Sequence, residues 1–320
     1  MNSGTAATIA NIKSRLALPV IAAPMFLVSG PDLVIAACKA GVIGSFPTMN
    51  ARSVAQLDEW CARITSELAV FKAAGGTPAP WAANLIVHCT NPRADEDLAV
   101  IVKYKSEIVI TALGTPARVI EAVHGYGGLV FADVNAVAFA RKAADAGADG
   151  LVLVAAGAGG HTGAVTPFSF VPAVREFFSG PIVLGGGLVD GAGVRAAEVL
   201  GADFGYMGTR FIATEESLAS DHYRDMLAKS TEEDIVLTPH FTGVPANYLK
   251  ASITNMGLDP SQLTAGERNF DSAGLSNQKV KAWRDIWSAG HGVRAIKKTV
   301  SVADLVADLK RGYDAARKVG

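Results

Sequence analysis

The chain has 320 residues, a length typical of a single α/β barrel with insertions. Half of its residues are apolar and only 18% are charged, which excludes an intrinsically disordered protein. The formal net charge of −1 gives no electrostatic basis for binding nucleic acid or an anionic membrane surface. We therefore expect a globular protein with a large core that acts on a small molecule.

The termini and the cysteines indicate a reducing cytoplasm. The N-terminus lacks the apolar core of a secretion signal, and no apolar run approaches the ~18 residues of a membrane helix. Cys38, Cys61 and Cys89 are far apart and form no C-x-x-C pair, which argues against zinc and against a disulfide framework. We predict a cytoplasmic protein without a metal site. A homodimer is compatible with the sequence.

Short apolar runs alternate with helical patterns along the first two thirds of the chain. The predicted strands are residues 20–23, 42–46, 81–87, 108–112, 129–133, 151–155, 181–184 and 204–207. The predicted helices are residues 31–40, a helix that begins at 53, and 91–104, 116–124, 137–146, 171–178 and 190–200. Runs this short are typical of buried parallel strands with crossover helices. Eight successive units favour a closed (β/α)₈ TIM barrel over an open doubly wound sheet.

The alternation stops after residue 211. Residues 214–229 have a helical pattern, residues 234–290 have no strand-helix alternation, and residues 301–319 form an amphipathic helical pattern. A long non-repeating stretch in a compact protein is usually a functional lid. We therefore divide the chain into a barrel core (1–213), a helix and cap extension over the active site (214–295) and a C-terminal helix that packs on the barrel (296–320).

A glycine-rich segment follows the sixth predicted strand and leads directly into a histidine. Gly157, Gly159 and Gly160 precede His161, and glycine allows the backbone to approach a ligand closely because it has no Cβ. A histidine at the end of a buried strand is well placed for proton transfer. The alternative is a glycine turn that carries a capping or exposed histidine.

The seventh and eighth predicted strands end in a pattern that is typical of phosphate binding. Gly185, Gly186 and Gly187 follow the seventh strand, and Gly208 and Thr209 follow the eighth. Phosphate commonly binds to these two loops of a TIM barrel, where exposed backbone N–H groups and a threonine hydroxyl act as donors.

A second glycine pattern, G-x-G-x-x-A at residues 191–196, resembles a dinucleotide fingerprint. It lies inside a helix that Asp190 is expected to cap, and not in a strand-to-helix turn. We therefore interpret it as an ordinary helix sequence.

Several motifs together resemble the nitronate monooxygenases, formerly called 2-nitropropane dioxygenases. The motifs are AAPM at 22–25, ANL at 83–85, AGAGGHTG at 156–163, GGGLVDGAGV at 185–194 and GADFGYMGTRFIATEES at 201–217. The resemblance extends from about residue 18 to residue 296.

The resemblance implies an FMN-containing barrel that oxidises alkyl nitronates, or nitroalkanes, with O₂. His161 is then the active-site histidine. The residues expected to contact the cofactor are Ala23, Pro24, Met25, Asn84, Asp133, Gly159, Gly160, Gly185, Gly186, Gly187, Gly208 and Thr209. His88 at the end of the third strand and Phe241, Thr242 and Val244 in the cap are candidate substrate-contacting residues.

The chain departs from the family pattern at two positions. Gly157 stands where many members have glutamate, and Asp133 stands where some relatives have lysine. A carboxylate near the flavin would disfavour its anionic reduced forms. We therefore expect Asp133 to point elsewhere or to bind polar groups, and these changes leave the substrate open.

Two other functions are compatible with the same residues. One is an NAD(P)H-dependent flavin reductase that acts on quinones or enoyl thioesters. The other is a flavin-free phosphate-sugar isomerase or synthase that uses the same phosphate loops. Bleaching of a bound flavin by NADH would identify the flavin reductase. A colourless purified protein would identify the flavin-free enzyme.

Overall fold

A closed barrel of eight parallel strands forms the centre of the computed structural model, which describes residues 3–265 and 283–318. The described strands are β1 (Val20–Ala22), β2 (Gly44–Pro47), β3 (Trp81–Ile86), β4 (Ile108–Ala112), β5 (Leu129–Val134), β6 (Gly150–Val154), β7 (Gly160–His161), β8 (Ile182–Gly185), β9 (Phe204–Met207), β10 (Ile235–Thr238) and β11 (Ala246–Leu249). Eight of them pair in the order β1-β9-β8-β6-β5-β4-β3-β2. A parallel bridge between Ile21 and Ile43 joins β1 to the chain entering β2 and closes the barrel. The predicted TIM barrel is confirmed.

Helices surround the barrel. They are α1 (Ser3–Ser14), α2 (Pro31–Lys39), α3 (Val54–Ala73), α4 (Ala94–Tyr104), α5 (Ala117–His124), α6 (Val137–Asp145), α7 (Pro167–Arg175), α8 (Gly191–Leu200), α9 (Thr209–Ile212), α10 (Asp221–Lys229), α11 (Lys250–Asn255) and α12 (Val302–Arg317). None of the helices in the described ranges is long and apolar enough to cross a membrane.

The barrel strands are apolar on both faces because both faces are buried. Ile21, Ile110, Phe131, Val152 and Phe204 belong to the cluster that fills the barrel interior. Residues of opposite parity on the same strands pack against the surrounding helices, which explains the continuous apolar runs in the sequence.

The glycine pattern at residues 191–196 lies within helix α8, and its first glycine serves helix packing. Asp190 caps α8 by accepting a hydrogen bond from the Gly193 backbone N–H at 2.9 Å. A Cβ at Gly191 would overlap the backbone of α12 at Leu309 and Tyr313. Gly191 therefore lets α8 and α12 pack backbone to backbone, and the interpretation as a helix sequence is confirmed.

A second, three-stranded antiparallel sheet lies beside the carboxyl end of β6. β11 pairs with β10 on one side and with β7 on the other, so that Ala246 lies opposite His161 and Asn247 opposite Gly160. Residues 234–290 were expected to show no strand-helix alternation, and the two strands found there were not predicted, because four-residue strands are too short to produce a clear alternating pattern. Residues 266–282 of the predicted cap lie outside the described residues.

Three helix predictions also needed correction. The helix expected at 171–178 begins at Pro167 after Thr166, and Pro172 lies within it. Of the helix expected at 214–229, only Asp221–Lys229 (α10) is helical, and the preceding helix α9 (Thr209–Ile212) ends before residue 214. The helix α1 was not expected; its Ile9 and Ile12 pack into the barrel-interior cluster.

Candidate active site

His161 lies in β7, a short strand that follows β6 after the glycine-rich segment. Its Nε2 atom lies 3.0 Å from the hydroxyl oxygen of Thr242, which belongs to the segment between β10 and β11. Its ring packs edge-on against Trp283, with the ring centroids 5.3 Å apart. Gly160 adopts a positive φ of 70°, and a Cβ there would lie 3.5 Å from the Trp283 ring. The backbone turn and the indole together fix the orientation of the imidazole.

The environment of His161 favours its neutral form. Burial lowers the pKa of His161 to about 4, because the charged imidazolium loses its hydration. A neutral imidazole at pH 7 has a lone pair on one nitrogen and can accept a proton. His161 is therefore available as a general base.

The glycine residues after β6 and β8 lie close together. A Cβ at Gly157 would lie 3.1 Å from Nδ1 of His291 and 3.5 Å from the amide nitrogen of Gly187. Gly187 adopts a positive φ of 69°, and a Cβ at this position would meet no described atom within 4 Å. The space in front of Gly187 is thus open, and its backbone conformation is one that favours glycine.

Thr209 is connected to the loop after β6 through Gly290. Its hydroxyl oxygen accepts a hydrogen bond from the Gly290 backbone N–H at 2.8 Å. Because the Thr209 hydroxyl accepts this bond, its own proton is left to be donated to a ligand. The Gly290 backbone lies against the loop after β6, since a Cβ at Gly290 would lie 2.6 Å from the Gly157 carbonyl oxygen. Three separate segments of the chain therefore meet at this point.

The residues after β1 form a rigid turn beside β9. The Met25 amide donates to the Ser29 hydroxyl at 3.0 Å, and the Met25 carbonyl accepts from the Asn50 side chain at 2.9 Å. The Met25 sulfur would lie 3.4 Å from a Cβ at Gly208, and a Cβ there would lie 3.7 Å from that of Ala23. The structure thus brings the predicted residues Ala23, Met25 and Gly208 together, and Pro24 lies between the first two.

Asn84 and Asp133 occupy the barrel strands themselves. Asn84 is buried in β3, and its side-chain amide donates to the Ile110 carbonyl oxygen at 3.1 Å. Asp133 lies two residues after Phe131 on β5 and therefore shares the interior face with it. Burial raises the pKa of Asp133 to about 7.

The candidate substrate residues divide into two groups. Thr242 contacts His161 directly, and Phe241 packs edge-on against Tyr248 with centroids 5.0 Å apart, beside Val244 in the same segment. His88 lies in the loop after β3, where its Nδ1 is 2.8 Å from the Thr90 hydroxyl.

Four residues near the site were not predicted to act there. They are Tyr206, Trp283, Gly290 and His291. The sequence carries little signal for Gly290, because it contributes only a backbone N–H. No group of three metal-ligating side chains occurs in the described ranges.

The donor set fits a phosphorylated aromatic cofactor such as a flavin nucleotide. The open niche at Gly187 and the available Thr209 proton suit a phosphate group. The buried Oδ1 of Asp133 and the buried hydroxyl of Tyr206 have no hydrogen-bond partner among the described residues. Polar atoms left unpaired in this way are suited to the polar edge of a bound ring.

Comparison with known proteins identifies the family. The model of the nitronate monooxygenase family matches residues 9–312, which is nearly the whole chain. The chain belongs to the nitronate monooxygenase family. The resemblance seen in the motifs is therefore confirmed, and the protein is a flavin oxidoreductase by membership of this family.

Individual relatives of this nitronate monooxygenase family member carry more than one activity. A nitronate monooxygenase from Paraburkholderia phytofirmans is 28% identical, over 92% of this chain and 91% of the relative. A (3aS,4S,5R,7aS)-5-hydroxy-7a-methyl-1-oxo-octahydro-1H-indene-4-carboxyl-CoA dehydrogenase from Mycobacterium tuberculosis is 29% identical over 73% of this chain, and the match spans 64% of that enzyme. The nitroalkane oxidase from Streptomyces ansochromogenes has the same fold, with a TM-score of 0.82 at 23% identity over 96% of this chain and 99% of that one.

Proposed function

We propose that this protein is an FMN-dependent enzyme that oxidises alkyl nitronates with O₂ to carbonyl compounds and nitrite. The observation that carries the proposal is the neutral, partly buried His161 in a member of the nitronate monooxygenase family, together with the open space in front of Gly187. FMN is preferred to FAD because the glycine pattern at 191–196 lies within helix α8, where Gly191 packs against α12, and not in a strand-to-helix turn that would bind a second nucleotide.

The residues that would hold the cofactor come from six barrel strands and the loops that follow them. Gly186, Gly187, Gly208 and Thr209 would bind the phosphate, through backbone N–H groups and the Thr209 hydroxyl. Further cofactor contacts are assigned to Ala23, Pro24, Met25, Asn84, Asp133, Gly159, Gly160 and Gly185. When bound, FMN supplies the acceptor for electrons from the substrate and the reductant for O₂.

His161 would act on the substrate. Its neutral imidazole can remove a proton from the α-carbon of a neutral nitroalkane and produce the nitronate. A nitronate has already lost that proton, so that His161 would then serve to orient it by a hydrogen bond. Thr242 and Trp283 hold the imidazole in place during either reaction.

We further propose that the β7–β11–β10 sheet caps the substrate cavity. β11 is hydrogen-bonded to the strand that contains His161. The rings of Phe241, Tyr248 and Trp283 pack against one another next to this strand, with Tyr248 and Trp283 centroids 5.3 Å apart. An apolar enclosure of this kind would keep bulk water away from the reacting atoms.

The test is an absorption spectrum of the purified protein, followed by oxygen uptake with propionate 3-nitronate and ethylnitronate. We expect a yellow protein that contains FMN and consumes O₂ with both nitronates. Release of FAD by heat, or a protein that takes up no flavin, would contradict the proposal.

The relative that acts on a CoA thioester supports one alternative, an NAD(P)H-dependent flavin reductase of quinones or enoyl thioesters. Anaerobic addition of NADH or NADPH separates the two functions. Rapid bleaching of the flavin by either nucleotide, together with no oxygen uptake on nitronates, would favour the reductase.

A further inference from the structure

Two titratable side chains stand out in the barrel wall. The eight barrel strands, all within the described part of the chain, contain no aspartate, glutamate, histidine, lysine, arginine, cysteine or tyrosine except Asp133 and Tyr206. Asp133 is the fifth of six residues in β5, and Tyr206 is the third of four in β9. Both therefore lie towards the carboxyl ends of their strands, where barrel enzymes bind their ligands.

Both side chains face the barrel interior. Tyr206 packs against the interior cluster that contains Ile21, Phe131 and Val152, and Asp133 pairs in register with Val152. Gly185 leaves room for the tyrosine, since a Cβ there would lie 3.2 Å from the Tyr206 ring. Burial raises the pKa of Tyr206, and the negative charge of an ionised Asp133 raises it further. The two side chains are therefore close enough to interact electrostatically.

Each group has one buried polar atom without a hydrogen-bond partner among the described residues. Oδ1 of Asp133 and the hydroxyl of Tyr206 are inaccessible to solvent and have no hydrogen-bond partner in the described residues. Leaving a buried polar atom unpaired destabilises the fold, and folded proteins rarely tolerate it without a reason. Two such atoms at the carboxyl ends of the strands are best explained by a ligand that pairs with both.

The pyrimidine edge of a flavin ring offers suitable partners, because it alternates carbonyl acceptors with an N–H donor. A carboxylic acid can donate and accept at the same time, whereas a carboxylate can only accept. A neutral Asp133 and the Tyr206 hydroxyl would together supply two donors and one acceptor. An ionised Asp133 would instead face the carbonyl oxygens with a negative charge.

We propose that Asp133 binds the flavin ring in its protonated form, with Tyr206 as a second donor, so that ionisation of Asp133 weakens flavin binding. This inference rests on the proposed function, in that FMN must bind to the barrel.

The surroundings of Asp133 support a transition near neutral pH. Burial raises its pKa to about 7. The adjoining strands β4 and β6 carry no titratable side chain, and β9 faces it with Tyr206, which stays neutral because its pKa is raised well above 10. His161, which follows β6, is also uncharged at pH 7 because its pKa is lowered to about 4. No nearby charge from these elements therefore offsets the ionisation of Asp133.

The experiment measures the dissociation constant of FMN between pH 6.5 and 8.5, from the flavin fluorescence released when the purified holoenzyme is diluted. The FMN phosphate has a second pKa of ≈6 and is largely dianionic over this range. We expect binding to weaken by up to about tenfold per pH unit above pH ~7, the limit for one linked proton. Asp133→Asn keeps a donor and an acceptor but cannot ionise, so its dissociation constant should be independent of pH.

Tyr206→Phe is the matched control, since it removes the other unpaired atom. It should bind FMN about 5- to 10-fold more weakly at every pH, as expected for one lost hydrogen bond, and should keep the pH dependence. If Asp133→Asn does not fold, the wild-type and Tyr206→Phe profiles still decide the matter. A pH-independent wild-type constant, or an Asp133→Asn protein with the wild-type pH profile, overturns the inference while leaving the proposed function intact. Failure to bind FMN at any pH overturns the proposed function itself.

Discussion

Nε2 of His161 and Oγ1 of Thr242 lie 3.0 Å apart, and this hydrogen bond connects the loop after β6 with the segment between β10 and β11. Thr242 has a single hydroxyl proton, and the Val244 carbonyl oxygen accepts it at 3.2 Å. We therefore expect His161 to donate from Nε2 and to carry its lone pair on Nδ1. We predict that Thr242 selects the tautomer of the histidine in this way.

Replacing Thr242 by valine should release this constraint. We expect kcat/KM for a neutral nitroalkane to fall about 5- to 10-fold, the effect of one neutral hydrogen bond. Thr242→Ser retains the hydroxyl and should stay near wild type. Nitrogen-15 NMR of the histidine ring gives the tautomer directly, and an unchanged ring spectrum in Thr242→Val would refute this role.

His161→Asn should separate proton abstraction from nitronate oxidation. General-base catalysis contributes ~10²–10⁴-fold, so activity on a neutral nitroalkane should fall within this range. Activity on the pre-formed nitronate should fall less, because no carbon-bound proton has to be removed. The comparison is made by oxygen uptake with each form of nitroethane, at equal FMN content. Equal losses on both would indicate that His161 orients the substrate or the cofactor only.

The lowered pKa of His161 also predicts how stability depends on pH. The unfolded chain binds a proton with the ordinary histidine pKa of 6.5, whereas the folded protein binds it only near pH 4. The stabilising contribution of neutral His161 is therefore complete above pH ~6.5 and is lost as the pH falls towards 4. Between pH 7 and pH 5 the wild type should lose about 2 kcal/mol more unfolding free energy than His161→Asn, measured by urea denaturation. Parallel losses in the two proteins would show that the imidazole is freely hydrated.

Gly187→Leu should block the phosphate niche. The side chain would occupy the open space in front of the backbone, and the positive φ of 69° adds strain of about 1 kcal/mol. Gly127→Leu is the matched control, because Gly127 has a positive φ of 83° and equally open surroundings in the turn before β5. We expect both proteins to lose similar stability and only Gly187→Leu to lose FMN. Full FMN content in Gly187→Leu would mean that the phosphate binds elsewhere.

Two glycines of α8 should respond oppositely to alanine. A methyl group at Gly191 would overlap the α12 backbone, so Gly191→Ala should destabilise the protein by ~2–4 kcal/mol or displace α12. A methyl group at Gly193 would have no neighbour closer than 3.7 Å, and alanine favours a helix by up to ~1 kcal/mol. Gly193→Ala should therefore be neutral or stabilising in thermal denaturation. Equal effects at both positions would exclude close packing of α8 on α12.

The barrel could be predicted because each of its strands leaves a recognisable pattern in a short stretch of sequence. Each strand is buried on both faces, so a run such as residues 151–154 is apolar throughout. The boundaries were less accurate, as β2 shows: residues 42–46 were expected and Gly44–Pro47 is observed. A boundary depends on which backbone groups find partners on neighbouring strands, and the local pattern does not contain this information.

The antiparallel sheet could not be predicted in this way. β11 is stabilised by pairing with β7, which lies more than 80 residues earlier in the chain. Only two residues of β7 take part, too few for any alternating pattern. The pairing results from the folded barrel, which brings the loop after β6 to that position.

Within the site, residues whose side chains are reactive could be predicted from the sequence. Residues that contribute only a backbone N–H or C=O group could not. His161, Gly187 and Thr209 were predicted because strand ends in a barrel have a known role. Gly290 supplies only an amide proton to Thr209, for which the residue type gives no signal. Tyr206 could have been found, since it is the one tyrosine in the barrel strands.

The packing of α12 has a consequence for how the chain folds during synthesis. Val20 of β1 and Leu33 of α2 share one buried cluster with Val194 of α8 and Leu309 of α12. A nascent chain can pair its barrel strands as they emerge from the ribosome. The part of this cluster that α12 covers stays exposed, however, until residues 302–317 have been translated. Until then, the bare apolar surfaces of β1, α2 and α8 are available to chaperones and to other nascent chains, and variants truncated before α12 should be recovered mainly as aggregates.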